Sequence, residues 1–421
     1  MTDHQQEVFD NMLESKEKIV FFTAPGGHGK THSISKWIKS LPADANVMVT
    51  STTHQALAVL SDMIPEEYDC TVTTATIHSF LGYQLKYTKF GAQELAKGEG
   101  SKYAAYEYDY LVIDEVSMLP TIIDKEIKEG LDQIKEKIIY VGDESQLSIS
   151  EFLDLSSIEK HRLTVNMRQD ADSPINTYCT ELRYQIKTHG GPIPIPKEND
   201  QFIFHETHGD FIKAYKDSKE DDKFIIAYMN KTVTKYNHSI KQYVKKADLY
   251  SEGDKIILLD PHIAFKKTVF NNRERLTIVG RPVKKNYATR INLKAEFDYY
   301  EFLVENKHGK KSVLKVPRTR SDFLAQTNVL RDKALADRNW RPFYAMKEEF
   351  NLVHHAYAGT VHSAQGATYD EVFIDLADFK PPNDPLNQTL LRMVYVAISR
   401  AKKRVHIYNS TEPRDFTKFG D

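Results

Sequence analysis

Two short stretches hold the residues best suited to chemistry, APGGHGKT at 24–31 and YLVIDE at 110–115. In the first, Gly26, Gly27 and Gly29 let backbone N–H groups curl around an anion with no side chain in the way. A helix beginning near Lys30, with the amphipathic continuation HSISKWIKSL, would aim the positive end of its dipole at the same place. Lys30 then suits the β and γ phosphates of a nucleotide, and the Thr31 hydroxyl suits Mg²⁺. In the second stretch, Asp114 and Glu115 close an apolar run. A strand there would hold both acids at its C-terminal end, where an open α/β sheet presents its ligand crevice. Asp114 fits the Mg²⁺ shell through water, and Glu115 fits the general base that orients an attacking water. Either stretch alone is a Gly-rich turn or a solvated strand end; together they describe a P-loop site that hydrolyses ATP.

The elements that must position these residues are legible as apolar runs. KIVFFTAPG, NVMVTST, YDYLVIDE and KIIYVGD read as four buried strands within the first 165 residues, alternating with helical stretches. That rhythm predicts a parallel sheet covered by helices on both faces. FIIAYMN, EVFIDLA and RVHIYNS predict a second α/β domain in the C-terminal half. From about 249 to 345 the pattern changes to short segments punctuated by Lys, Arg and Gly, including DKIILLD, RLTIVG and KSVLKVP, which read as a small β barrel inserted into the second domain. GGPIPIP at 190–196 reads as an extended strap.

Composition bounds the partners. The 421 residues are 41% hydrophobic, enough for several cored domains. The net charge of -2 excludes a uniformly basic coat, so a nucleic-acid site must be a local track. Cys70 and Cys179 are too few for a disulfide framework or a metal cluster, which fits a reducing compartment. The polar N-terminus and the lack of any run of 18 apolar residues predict a soluble, intracellular protein with no membrane partner.

In order along the chain, the motifs resemble those of superfamily 1 helicases of the 5′-to-3′ branch, the RecD- and Dda-like enzymes. Gln5 resembles the family's adenine-reading glutamine. TSTTHQA at 50–56, with Thr53 and His54, and TIHSF at 76–80, with His78, resemble DNA-contacting elements. VGDESQL at 141–147 resembles the coupling motif whose glutamine, Gln146, faces the γ phosphate, and LTVNMRQ at 163–169 places Arg168 as an arginine finger. AGTVHSAQGATYDEVFID at 358–375, with Thr360 and His362, and YVAISRAKKRVHIY at 395–408, with Arg400 as a γ-phosphate sensor, resemble the last two motifs. Four positions depart from the pattern: Ala24 replaces the first loop glycine, Ser148 and Ile149 replace prolines of the coupling motif, and Ser363 replaces a DNA-contacting lysine.

The resemblance implies two RecA-like motor domains. The first would comprise 1–79 and 107–165 with a pin insert at 80–106; the second would comprise 166–248 and 346–421 with an SH3-like β barrel at 249–345. It implies ATP and Mg²⁺ as cofactors and single-stranded and fork DNA as partners, with single-strand-binding or replication proteins beside them. Replication, repair and recombination are the processes such an enzyme serves. The residues themselves leave DNA against RNA, and the direction of travel, open. Within 80–106, alternating apolar and polar residues turn around Phe90-Gly91 and return through a polar limb, which reads as a protruding hairpin with Phe90, or else Tyr87, as the wedge. Trp340 in DRNWRPFY suits either base stacking or core packing. The competing readings are a P-loop nucleotide kinase and a nonunwinding DNA-dependent ATPase subunit. Length and the C-terminal motifs disfavour the first, and intact Lys30, Thr31, Asp114 and Glu115 disfavour a degenerate ATPase.

Overall fold

Apolar runs flanked by Gly, Asp, Ser and Thr become strands, and the computed structural model shows how they align. It describes the chain except residues 1, 53–55, 58–59, 62–63, 65–68, 88–92, 99–106, 147–154, 156, 166–171, 189, 245–248, 265–266, 273, 289–295, 382–385, 411–413 and 415–421. The chain forms two units. One comprises 1–85, 95–229 and 360–413, and the other 86–94, 230–359 and 414–421. Among the described residues, no helix is long and apolar enough to cross a membrane.

The first unit contains both expected parallel sheets. In one, the strand order is Thr71–Thr76, Asn46–Ser51, Tyr108–Asp114, Ile134–Gly142, Ile19–Thr23 and Glu159–Arg162, all parallel. Alternation across the pleat explains why the strand Ile19–Thr23 is apolar up to its last residue. Val20 and Phe22 enter one core with Ile34 and Trp37 of the helix Lys30–Lys39, whereas Phe21 enters the opposite core with Ile123 and Ile127 of Thr121–Glu129. The strand is thus fixed from both faces, and so is the loop that leaves it.

The second sheet of this unit runs Lys223–Ala227, Tyr369–Asp375, Ala401–Tyr408 and Phe202–His205, again parallel. Its core is closed by Pro174–Lys187 and Gln388–Ile398, with Tyr178, Leu182, Leu391 and Val394 buried among Phe202, Phe224 and Val372. A two-stranded ribbon, Tyr83–Tyr87 with Gln93–Lys97, occupies the segment read as a hairpin. The Gly98 N–H donates to Gly82 O at its base, while residues 88–92, Phe90 among them, lie outside the described residues.

The second unit carries an antiparallel sheet in the order Val283–Ala288, Glu296–Glu305, Arg275–Ile278, Lys255–Leu258 and Val353–His355, with Lys311–Pro317 also paired to Glu296–Glu305. Two features differ from the sequence expectation of a barrel at 249–345. First, residues 320–349 form two helices, Arg320–Asp337 and Arg341–Glu349. Phe323, Thr327, Leu330 and Ala334 are buried at helical spacing, and the Thr319 side chain caps the first helix. Second, the long stretch of this unit starts at 230 and not at 249, because the helix Asn230–Val244 is tied to the residues that follow it. The Asn237 side chain accepts from the N–H groups of Tyr357 and Ala358 and donates to Ala358 O, and Lys241 pairs with Asp254.

Candidate nucleotide site

The P-loop leaves the C-terminal end of Ile19–Thr23, between strands whose ends carry the other polar groups. Ala24 N–H donates to Gly142 O at 3.1 Å, continuing the pairing into the loop. Gly27 (φ 85°) and Gly29 (φ 78°) take the left-handed backbone the turn requires, and Gly29 caps the helix that begins at Lys30. The Lys30 ammonium folds back on the loop, donating to Ala24 O at 2.7 Å. Thr31 follows in the first turn of the helix, half-buried. Burial depresses the His28 imidazole to about 4 and keeps it neutral beside the loop.

Asp114 ends its strand as expected and is buried. Burial, then the adjacent Glu115 charge, pushes its carboxyl up to about 7. Glu115 stands in left-handed conformation (φ 52°, ψ 42°), heading a short helical turn, and its Oε2 is buried with no hydrogen-bond partner among the described residues. A buried carboxyl held against its charge, an unused acceptor and the Thr31 hydroxyl form an oxygen donor set suited to Mg²⁺ bound with nucleotide phosphates.

A third acid organises the rest. Asp143 Oδ2 accepts from the Gly26 N–H at 3.0 Å, from the Tyr395 hydroxyl at 2.6 Å and, at 3.3 Å, from Gln146 Nε2. The Tyr395 hydroxyl is also 3.2 Å from Gly26 N. Tyr395 is fully buried, and that burial, with the Asp143 charge, holds its phenol protonated. Arg392, on the same helix, donates to the backbone carbonyls of Glu144 at 2.5 Å and Gln146 at 2.9 Å. Arg400 lies just past the helix end, buried, and donates to Val396 O, Ala367 O and Ser399 Oγ. Its Nη2 is so close to the P-loop that a Cβ built on Gly26 would stand 3.3 Å from it. Lys30, Asp114, Glu115, Gln146 and Arg400 are thereby gathered along the ends of one sheet and against one helix of the other.

Two family models match this chain, one described as an AAA domain over residues 5–152 and one as a UvrD-like helicase C-terminal domain over 355–408. Both descriptions agree with the resemblance carried by the motifs, the first model spanning the P-loop and the acid pair and the second the two C-terminal motifs. The chain is 21% identical over an alignment of 496 positions to uncharacterized protein R530 of Acanthamoeba polyphaga mimivirus, covering 95% of this chain and 98% of that one. A Pif1 helicase from Bacteroides, solved with ADP-AlF3 and ssDNA, shares its fold with a TM-score of 0.56 at 15% identity, over 98% of this chain and 93% of that one. A structure of two coordinating Pif1 helicases at forked dsDNA gives a TM-score of 0.55 at 16% identity over the same shares.

Other expected site residues make contacts of their own. Gln5 is buried, and its Oε1 accepts from the Thr2 N–H in a capping box, so that oxygen serves the helix end. His78 is half-buried in the turn Ile77–Phe80, its ring edge-on to Tyr83 at 6.0 Å. Thr360 anchors a turn through Ser363 N–H and Oγ, and exposed His362 lies in that turn, its ring 6.2 Å from Tyr228. Trp340, in the second unit, is half-buried, stacks on Tyr344 at 6.0 Å and meets Phe343 edge-on at 5.6 Å. Of its two sequence readings, the contacts are those of packing. Thr53, His54, Phe90 and Arg168 lie outside the described residues.

Sequence reasoning passed over Asp143, Arg392, Tyr395 and Gln365. All four lie in or beside the motifs already singled out, but only their three-dimensional neighbours mark them. Gln365 Nε2 donates to Gln146 Oε1 at 3.0 Å, a contact no local pattern announces.

Proposed function

We propose that this chain is a superfamily 1 helicase that translocates 5′-to-3′ on single-stranded DNA and separates the duplex ahead, driven by ATP hydrolysis. The observation that carries the reading is the approach of Arg400, behind the helix of one parallel sheet, to Gly26 in the P-loop of the other. A nucleotide held there touches both sheets, so its hydrolysis changes how they meet. The same fold in Pif1 proteins solved with ADP-AlF3 and ssDNA, and at forked dsDNA, supports DNA as the track.

Each side chain has one task in this scheme. The P-loop amides and Lys30 would bind the phosphates, and Thr31 and Asp114 would hold Mg²⁺, which would supply charge neutralisation there. Glu115 takes the proton of the attacking water, and Gln146 faces the γ phosphate. Arg400 and Arg168 stabilise charge as it spreads over the transferred group. Gln5 reads the adenine. Thr53, His54, His78, Thr360 and His362 contact phosphates without reading sequence, and Phe90 splits the last base pair. Single-strand-binding or replication proteins would work beside it inside the cell.

Partial duplexes with either a 5′ or a 3′ tail test substrate, activity and polarity together. ATP-dependent strand release from the 5′-tailed duplex alone is expected. Release from the 3′-tailed duplex overturns the polarity. ATP turnover that single-stranded DNA does not stimulate overturns the motor and favours a kinase-like use of the P-loop. Stimulated turnover without strand release leaves the nonunwinding ATPase.

A further inference from the structure

Gln146 has a fixed backbone and an unfixed side chain. Its carbonyl is held by Arg392, whereas its amide Nε2 makes only a long, 3.3 Å bond to Asp143. The firmer contact is on the other end, where Gln146 Oε1 accepts from Gln365 Nε2 at 3.0 Å. A carboxamide has one accepting and one donating end, so whatever donates to Oε1 decides where the Nε2 donor points. Facing a phosphate requires the donor.

Gln365 belongs to the turn that starts at Thr360. That turn is tied to its first residue by three hydrogen bonds: Ser363 N–H to Thr360 Oγ1, Ser363 Oγ to Thr360 O, and Ala364 N–H to Thr360 O at 3.2, 2.8 and 3.0 Å. Displacing Thr360 or His362 therefore displaces Gln365 as part of one small body. The Oε1 of Gln365 is buried with no partner among the described residues, so the bond to Gln146 is what secures its amide there.

We propose that Gln365 is a positioning residue that couples strand occupancy to hydrolysis: DNA seated on Thr360 and His362 sets Gln365, and Gln365 sets the amide of Gln146 at the γ phosphate. The inference rests on the DNA-driven motor reading given above. It predicts that Gln365 governs how strongly DNA stimulates turnover, separately from how tightly DNA binds.

The test compares parent, Gln365→Glu and Gln365→Leu, with ATP turnover measured with and without saturating oligo(dT) and oligo(dT) binding followed by anisotropy. Gln365→Glu keeps size and loses the donor; Gln365→Leu removes the donor without adding charge, and serves if the first variant misfolds. The ratio of stimulated to unstimulated turnover should fall about tenfold, while oligo(dT) affinity changes less than about twofold. Because Gln365 acts through Gln146, the double variant Gln146→Ala/Gln365→Leu should be no worse than Gln146→Ala alone. A preserved ratio overturns the inference, as does a loss of affinity matching the loss of stimulation, or losses that multiply in the double variant. A parent protein whose turnover ignores oligo(dT) overturns the motor reading itself, and the coupling with it.

Discussion

Buried charge is handled in opposite ways at the nucleotide site and in the second unit. In the second unit, Lys241 and Asp254 form a buried ion pair whose remaining polar atoms are used. Lys241 also donates to Ser251 Oγ, and Asp254 accepts from the Ser251 N–H at 2.7 Å and the Tyr357 hydroxyl at 3.3 Å. At the nucleotide site, two acids adjoin each other, one carboxyl is pushed up to about 7 by burial and its neighbour, and Glu115 Oε2 has no partner among the described residues. A satisfied cluster holds structure together; an unsatisfied one is poised for a ligand. The comparison assigns loss of activity to one region and loss of stability to the other.

The largest expected effect is at Lys30. Lys30→Ala should reduce ATP turnover to background while the unfolding midpoint stays close to the parent's, and residual turnover near the parent rate would remove the P-loop assignment. Next comes Arg400→Ala, with Arg168→Ala as its companion. Steady-state kinetics at saturating DNA should show kcat lowered about 10³-fold for each, with ATP affinity changed far less, since these contacts matter as charge develops. An unchanged kcat in either variant would end that residue's role.

The second unit gives the complementary result. Lys241→Ala leaves the Asp254 carboxylate buried alone and should cost about 3–5 kcal/mol of stability, read from denaturant unfolding. Lys241→Met/Asp254→Leu should recover most of it. Asp114→Asn should instead stay within about 1 kcal/mol of the parent and lose turnover. If Asp114→Asn destabilised as much as Lys241→Ala, the distinction between the two clusters would fail.

A smaller effect is common to both regions. Burial lowers His28 and His355 to about 4, below the usual value near 6.5, so between these limits the unfolded chain binds protons that the folded chain refuses. Their contribution is complete above about pH 6.5 and is lost as pH falls toward 4. Urea midpoints should decline over that window, with a shallower slope in His28→Gln and in His355→Gln; a flat profile in the parent contradicts both. The smallest effect concerns Trp340. Added oligo(dT) should quench tryptophan emission equally in the parent and Trp340→Phe, and a quench that vanished with the substitution would restore the stacking role.

Strands that are apolar on both faces were legible because a buried parallel sheet demands such runs. Thr71–Thr76 and Glu159–Arg162 escaped because TVTTAT and EKHR are short and polar, and each lies at an edge of the sheet. The helices at 320–349 were hidden by the Lys and Arg punctuation of the region before them, although their buried positions recur at helical spacing. In the site, residues within one motif could be read together. Asp143 with Tyr395, 252 positions apart, and Gln146 with Gln365, 219 apart, could not, because each pair is joined only by the packing of two sheets.

The strand order of the second sheet also sets a timetable for its synthesis. Phe202–His205 and Lys223–Ala227 are made early, yet in the sheet Tyr369–Asp375 and Ala401–Tyr408 lie between them. His205 hydrogen-bonds to His406, 201 positions later. At ribosomal speeds of roughly 5–20 residues per second, the early strands wait about 10–40 s for their partners. Throughout that interval Phe202, Phe224, Ile225 and Ile226, all buried once the sheet closes, have no native neighbours on the strand edges they will share. Those strand edges therefore stay open while residues 230–359 are made, and the codons of that stretch set how long the nascent chain must be kept from pairing wrongly.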